Sequence, residues 1–142
     1  MSAAPEIARL AFGVPSPAAG SAPLTIGALA RKLQLIASSP ERWWGLVRFH
    51  TARSERIDLD LPGARYAAWL VVLAPGDPGH YCDCDLMMLV AGEAAEESVA
   101  DGGGVTTDLK AGRARVHGHG QVHQIRAAGT GFAVTLHVQA SA

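Results

Sequence analysis

The chain has 142 residues, of which 49% are apolar and 18% charged, and this suits one domain with a hydrophobic core. Twelve basic against thirteen acidic residues give a net charge of -1, which argues against a non-specific nucleic-acid binder with a basic surface. No apolar run approaches the roughly 18 residues of a membrane span, and the N-terminus does not resemble a secretory signal. We therefore expect a cytoplasmic protein, whose two cysteines serve metal binding, chemistry or packing.

The first third of the chain predicts a tail followed by helices. Residues 1–22 are rich in Ala, Pro, Ser and Gly, which predicts a disordered segment. Residues 24–37 then place apolar side chains at helical spacing, at Ile26, Leu29, Leu33 and Ile36. Ser39 and Pro40 suit the start of a second, short helix through Trp43, Trp44 and Val47. We expect a helical cap over residues 24–50.

From about residue 55 the pattern becomes that of strands. Short apolar or alternating segments follow one another, separated by glycine-rich turns, at 66–74, 85–92, 105–109, 113–118, 121–127 and 131–139. Many short strands with regular turn signals predict an all-β sandwich or barrel. Residues 23–142 would then form one all-β domain that carries the helical cap.

The first stretch that could carry chemistry contains both cysteines. His80, Cys82 and Cys84 are spaced two apart, so on a strand they would share one face. A Cys-x-Cys pair with a nearby His is a plausible half of a metal site. The alternative is that the two cysteines are simply buried as small apolar side chains.

The second stretch is rich in histidine. His117 and His119 lie among glycines, which predicts a solvated turn. His123 shares its strand face with Ile125 and so is expected to point inward. His137 is expected on the strand face opposite the apolar Phe132, Val134, Leu136 and Val138, together with Thr135 and Gln139.

These two stretches resemble the two cupin motifs. Gly112, Gly120 and His123 match the two glycines and the His of the second motif, whereas Gly118 and Ala127 replace its Pro and Asn. In the first motif Gly76 matches the glycine, but Cys82 and Cys84 stand where the two metal-binding His residues would be.

More specifically, the chain resembles bacterial members of the cysteine dioxygenase family over about residues 24–139. The segments that carry the resemblance occur in the family's order: PERWWGLVRF, SERI, AAWLVVLAPG and QVHQIRAAGTGFAVTLHV. The resemblance implies an all-β cupin jelly-roll barrel with a short helical N-terminal cap. It also implies Fe(II) held by three His, an Arg that binds the substrate carboxylate, and oxidation of a small thiol by O2 to a sulfinate.

The family's functional residues carry over in part. Arg56 matches the carboxylate-binding Arg, and His123 matches the third iron ligand. Thr135, His137 and Gln139 match a supporting Ser-x-His-x-Tyr run, in which the Tyr is lost. Arg56 has an alternative role in a surface ion pair with Glu55, Asp58 or Asp60.

The metal-ligand set stays open between two alignments. Cys82 and Cys84 replace the first two ligands, or, counted back from Gly92, His80 takes the second ligand position. Soft thiolate and imidazole ligands favour a Zn site over the Fe(II) site of a non-haem oxygenase. A Cys2His set with an open position is typical of catalytic zinc, and His80 would close it into a structural site. We expect one divalent metal, either Fe(II) from the resemblance or Zn from the ligand chemistry.

Three functional hypotheses follow. The first is a metal-dependent thiol dioxygenase-like cupin that oxidises a small thiol carboxylate such as cysteine with O2. The second is a repurposed or catalytically degenerate cupin that binds zinc or a small ligand through Cys82, Cys84 and His123. A metal-free barrel acting as an interaction module is a third. In each case we expect a monomer or homodimer with no nucleic-acid or membrane partner.

Overall fold

The computed structural model describes residues 24–49, 53–98, 104–117 and 122–141. The predicted disordered tail over 1–22 lies outside these residues, as do His119 and Gly120. The predicted helix is confirmed as α1 (Ile26–Ala37), and the Thr25 hydroxyl caps it by accepting a hydrogen bond from the Ala28 N–H at 3.1 Å. Its buried side chains are Leu29, Leu33 and Ile36, whereas Ile26 is exposed.

The second predicted helix is wrong in form. Residues Pro40–Arg42 and Trp44–Leu46 make two short 3₁₀ turns, and Val47 is already extended. The Ser39 side chain makes no capping hydrogen bond. Instead, the indole N–H of Trp43 donates to the carbonyl oxygen of Ile36 at 2.8 Å. This bond folds the turns back onto the end of α1, so the cap is held by a buried tryptophan.

Within the ranges that the structure describes, nine strands form two antiparallel sheets. They are β1 (Glu55–Asp58), β2 (Tyr66–Leu73), β3 (His80–Cys82), β4 (Leu86–Ala91), β5 (Ala94–Ser98), β6 (Val105–Asp108), β7 (Ala114–Val116), β8 (His123–Ala127) and β9 (Ala133–Ala140). The larger sheet has the order β1-β2-β9-β4-β7, and the smaller one has the order β3-β8-β5-β6. The predicted all-β jelly roll with a short helical N-terminal cap is therefore confirmed. Strand β5, whose sequence is Ala-Ala-Glu-Glu-Ser, was not predicted.

Alternation along the larger sheet separates its two faces. On one face, every second side chain of β2 and β9, including Leu70 and Leu136, packs with Leu29 and Leu33 of α1. The side chains between them, including Trp69 and Val71, pack toward the smaller sheet with Cys82, Cys84 and Ile125. His137 pairs with Trp69 across the β2–β9 ladder, so it lies on this interior face, as its position in the strand predicted.

A short loop between β2 and β3 positions the cysteine segment. Gly76 has φ 83°, in the left-handed region that a glycine adopts without strain. The next residue, Asp77, accepts hydrogen bonds from the backbone N–H groups of Ser54 at 2.6 Å and Gly79 at 3.2 Å. The Ser54 hydroxyl in turn accepts a hydrogen bond from the Ala74 N–H at 3.1 Å. Asp77 therefore joins the start of β1 to the segment that leads into β3.

Candidate metal centre

The two cysteines lie together in the interior between the sheets. Cys82 ends β3, and Cys84 follows two residues later. Tyr81, which precedes the two cysteines, and Asp83, which lies between them, are exposed. Cys82 and Cys84 are 4% and 2% exposed, and their Sγ atoms are 2.9 Å apart. Both are free thiols. The period of two that the sequence suggested thus turns both sulfurs inward.

His137 faces the two sulfurs from the opposite sheet. Its Nδ1 lies 3.1 Å from the Sγ of Cys82 and 3.3 Å from the Sγ of Cys84. Its Nε2 lies 2.7 Å from the hydroxyl of Thr135, and its ring stacks on Trp69 at 5.6 Å between centroids. When Nε2 carries the proton and donates it to Thr135, Nδ1 presents its lone pair to the cysteines. We call Cys82, Cys84 and His137 the cysteine trio.

A second buried group adjoins the first. Glu96 on β5, His117 after β7 and His123 on β8 form what we call the glutamate trio. The Nε2 of His117 makes a short hydrogen bond with Oε2 of Glu96, and Nδ1 of His123 lies 3.5 Å from the same oxygen. The rings of His117 and His123 stack at 3.8 Å between centroids. Both ring nitrogens of His123 are buried without a hydrogen-bond partner among the described residues.

Arg115 and His117 connect this group to its surroundings. The Nη2 of Arg115 donates to Oε1 of Glu96 at 2.6 Å. The Nδ1 of His117 lies 3.5 Å from the Sγ of Cys84, so the two trios are in contact. The backbone N–H of His117 also donates to the carbonyl oxygen of Asp85 at 2.8 Å, which holds the end of β7 beside the cysteine segment.

Each trio has the composition and spacing that a metal ion requires. Within each trio the potential ligand atoms all lie within 4.8 Å of one another, and all six residues are buried. Two ligands that are each about 2.0–2.3 Å from one zinc ion lie at most about 4.6 Å apart. The distances of 2.9, 3.1 and 3.3 Å within the cysteine trio fall inside that limit. The ring nitrogens of His123 are a second sign that the residues present fit an ion, because buried polar atoms normally have hydrogen-bond partners and these two have none among the described residues.

Electrostatics sets the charge of these groups. The hydrogen bond between the thiols lowers the pKa of Cys82 and raises that of Cys84, so one thiol ionises far more readily than the other. Burial opposes ionisation of Glu96, but hydrogen bonds from His117 and Arg115 outweigh it and lower the Glu96 pKa to about 2. Burial likewise opposes protonation of His117, yet its contacts with Cys82 and Glu96 raise its pKa to about 9. The interior therefore holds groups that favour a negative charge, Cys82 and Glu96, beside His117, which favours a positive one.

The structure distributes the predicted ligands over both trios. Cys82 and Cys84 lie with His137, which the resemblance assigns to a supporting role, while His123 lies with Glu96. His80 is half-buried on β3 and belongs to neither trio, and burial lowers its pKa. Gln139 is half-buried two residues beyond His137.

The prediction of His117 in a solvated turn is wrong. Its residue is only 3% exposed, and both ring nitrogens contact buried partners. The alternation of Arg115, Val116 and His117 was the available signal, because Val116 points outward and the two basic residues point toward Glu96. Glu96 was missed altogether, since nothing in its local sequence distinguishes it from the half-buried Glu97.

Arg56 lies on the interior face at the edge of the larger sheet. It pairs with Val71 in the β1–β2 ladder, so the two side chains share a face. Its guanidinium lies 4.0 Å from the centre of the Trp69 ring, and Trp69 stacks on His137. Arg56 also forms an ion pair with Asp58 at 2.8 Å, the surface pairing considered from the sequence. It is half-exposed and therefore open to further contacts.

Several solved structures share this fold, and one of them is a cupin superfamily protein. The chain is similar to an oxalate oxidase in complex with glycolate, at 19% identity and TM-score 0.56, over 68% of this chain but only 56% of that one. It is also similar to an uncharacterised double-stranded β-helix protein from Klebsiella pneumoniae, at 23% identity and TM-score 0.54, over 66% and 82% of the two chains. A cupin superfamily protein from Desulfitobacterium hafniense aligns at 18% identity and TM-score 0.50, over 69% and 86%.

These likenesses define the fold of the chain as a cupin jelly roll. The chain spans little more than half the length of the oxalate oxidase. Neither a protein-family model nor a curated protein sequence matches it. In the part of the chain that the structure describes, no helix is long and apolar enough to cross a membrane.

Proposed function

We propose that this protein is a metal-binding cupin that holds a thiophilic divalent ion, Zn²⁺ in the first instance, at Cys82, Cys84 and His137. The observation that carries this proposal is the convergence of two sulfurs and one imidazole nitrogen within 3.3 Å in a buried interior. A metal ion uses all three groups.

The ligand chemistry selects the kind of metal. Thiolate sulfur and imidazole favour zinc over the hard, oxygen-rich sites of calcium and magnesium. The Thr135 contact at the far nitrogen of His137 is typical of the outer hydrogen bond that orients a metal-binding imidazole. Both thiols must remain reduced to bind an ion, so we also propose a cytoplasmic location.

The bound ion would link the two sheets. Cys82 belongs to the smaller sheet and His137 to the larger one, so a shared ion connects strands that are otherwise joined only by packing and loops. With three protein ligands, zinc would supply a Lewis acid at the remaining position. Whether the ion links the two sheets or acts as a Lewis acid, Thr135 would orient the imidazole of His137 and Trp69 would pack against its face.

The first experiment is metal analysis of protein purified under reducing conditions. We expect the wild type to hold one more equivalent of zinc than a Cys82→Ser, Cys84→Ser double variant. Asp83→Asn is the matched control, because Asp83 lies between the cysteines but is exposed. Full zinc occupancy in the double variant would overturn the assignment. His80→Ala separates the two ligand alignments: retained zinc excludes His80 as a ligand.

A second candidate function is oxidation of a small thiol carboxylate. It is favoured by Arg56, whose half-exposed guanidinium lies on the interior face above Trp69 and so near His137. An arginine fork suits a carboxylate. The balanced reaction is R–SH + O2 → R–SO2H, in which both oxygen atoms enter the sulfinate. Fe(II) would supply the activation of O2 when bound.

This candidate is tested by loading the protein with Fe(II) without oxygen and then measuring O2 uptake with cysteine and related small thiols. Thiol-dependent uptake matched by sulfinate formation, weakened by Arg56→Lys, would support it. If iron-loaded protein shows no thiol-dependent O2 uptake, this candidate fails and only the metal-binding function remains. Oxidation of Cys82 or Cys84 themselves must be measured in parallel, because thiolates beside iron and O2 are at risk.

A further inference from the structure

We infer that Glu96, His117 and His123 bind a second divalent transition-metal ion, so that the barrel interior holds a two-metal centre. The inference deepens the proposed function and rests on it for the first ion, at the cysteine trio. The second site differs in chemistry, since it offers two imidazoles and a carboxylate and no sulfur. Such a set is typical of Fe(II) and of zinc.

The carboxylate of Glu96 is arranged to leave one oxygen for an ion. Arg115 binds Oε1 at 2.6 Å, and Oε2 faces His117 and His123. Arg115 is half-exposed, whereas Glu96 is buried, so the arginine anchors the carboxylate from the solvent side. Neighbouring Glu97 shows the contrast, because its carboxylate lies outward and 3.5 Å from Arg126. Glu96 is thus held with a single oxygen directed toward two imidazoles.

His123 supplies the observation that points independently to a ligand. It is 8% exposed, and neither of its ring nitrogens has a hydrogen-bond partner among the described residues. Leaving a buried polar group unsatisfied costs about 1–3 kcal/mol, so such groups are uncommon. An ion shared with Glu96 would satisfy one nitrogen of His123.

The two sites adjoin through His117. Its Nε2 faces Glu96, while its Nδ1 lies 3.5 Å from the Sγ of Cys84. When the two ions bind, the protons of Cys84 and His117 leave to solvent. Two thiolates and one carboxylate then offset three of the four positive charges that two divalent ions bring. Because one imidazole contacts both trios, occupation of either site is expected to change the affinity of the other.

The test is titration of reduced, metal-free full-length protein with Zn²⁺ and, separately, with Co²⁺ as a spectroscopic probe. We expect two equivalents of either ion in the wild type. Glu96→Gln and His123→Ala should each bind one equivalent and keep the near-ultraviolet band of thiolate bound to cobalt. Glu97→Gln is the matched control and should bind two.

The double variant Cys82→Ser, Cys84→Ser completes the test. It should bind one equivalent of cobalt and show only the weak visible bands of nitrogen and oxygen ligands. A wild type that binds one equivalent overturns the two-metal inference. If the cysteine variant then binds none, the proposed function stands without the second site. If it still binds one and Glu96→Gln binds none, the proposed function fails and the ion belongs to the glutamate trio. The wild-type stoichiometry decides the inference even if a variant does not fold.

Discussion

The Nδ1 atom of His137 lies 3.1 Å from the sulfur of Cys82, although the two residues stand on strands of different sheets. Strand β3 brings the cysteine from one side of the barrel and β9 brings the imidazole from the other. The contact therefore depends on the closing of the jelly roll rather than on any local motif. It adds a polar contact between the two sheets, beside those that Arg115 and His117 make with Glu96.

Metal removal should destabilise the folded protein. An ion that binds the native state alone adds about 2.7 kcal/mol when its free concentration is 100 times its Kd. We expect a strong chelator to lower the Tm of the reduced wild type and added zinc to restore it. Calorimetry measures both. The Cys82→Ser, Cys84→Ser variant should lose the part of this zinc response that the cysteine trio contributes, and an unchanged response in that variant would contradict a role for the cysteine trio.

Loss of the Thr135 hydroxyl should weaken metal binding without removing a ligand. Thr135→Val keeps the shape of the side chain but removes the oxygen 2.7 Å from Nε2 of His137. Outer hydrogen bonds of this kind are worth about 10–100-fold in metal affinity. Competition against a chromophoric chelator measures the change. Thr106→Val, on the exposed edge strand β6, is the control, and equal affinities for the two variants would refute the orienting role.

Asp77 should contribute stability that depends on pH. Hydrogen bonds from the backbone of Ser54 and then of Gly79 lower the Asp77 pKa, so the folded state favours its charged form. That stability is present above the unfolded-state pKa of about 3.9 and is lost as pH falls through the lower folded-state pKa.

Asp77→Asn should therefore cost about 1 kcal/mol at pH 7, and the difference from wild type should shrink as pH falls below about 4. Urea denaturation at several pH values measures it. Asp108→Asn, at an exposed position, serves as the comparison. A difference that stays constant down to pH 3 would show that charge on Asp77 is not the cause.

The helical cap should matter through its buried face. Leu33 is fully buried against the larger sheet, and Leu33→Ala should cost about 2–5 kcal/mol through lost burial and a residual cavity. Ile26→Ala, on the exposed side of the same helix, should cost much less. Denaturant unfolding of both variants gives the comparison. Similar losses would mean that α1 does not pack on the sheet as described.

Periodic apolar patterns made most of the fold predictable. Leu29, Leu33 and Ile36 repeat at helical spacing, and the run from Tyr66 to Leu73 reads as a buried strand, so both elements followed from the sequence. Strand β5 did not, because Ala and Glu are poor strand formers and only pairing with β6 and β8 makes the segment extended.

The sequence predicted which strand faces carry the cysteines and His137, but not how these side chains meet. Spacing placed Cys82 and Cys84 on one face and His137 on the face away from Leu136, and both inferences agree with their burial. Which histidine meets which cysteine depends on how β3, β8 and β9 are arranged in space, and spacing along the chain does not encode that. Glu96 and His117 were missed for the same reason, since each is buried through partners on other strands.

Strand β9 carries two sets of residues whose side chains alternate along it. Leu136 and Val138 pack under the helix, while Thr135 and His137 face the cysteines. A slip of one residue in its pairing with β2 would exchange the two sets, turning leucine toward the sulfurs and imidazole toward the helix. An ion held by His137 and the cysteines would be lost in every slipped pairing. Metal binding would then favour one register of β9, the central strand, over the other registers that backbone hydrogen bonding alone allows.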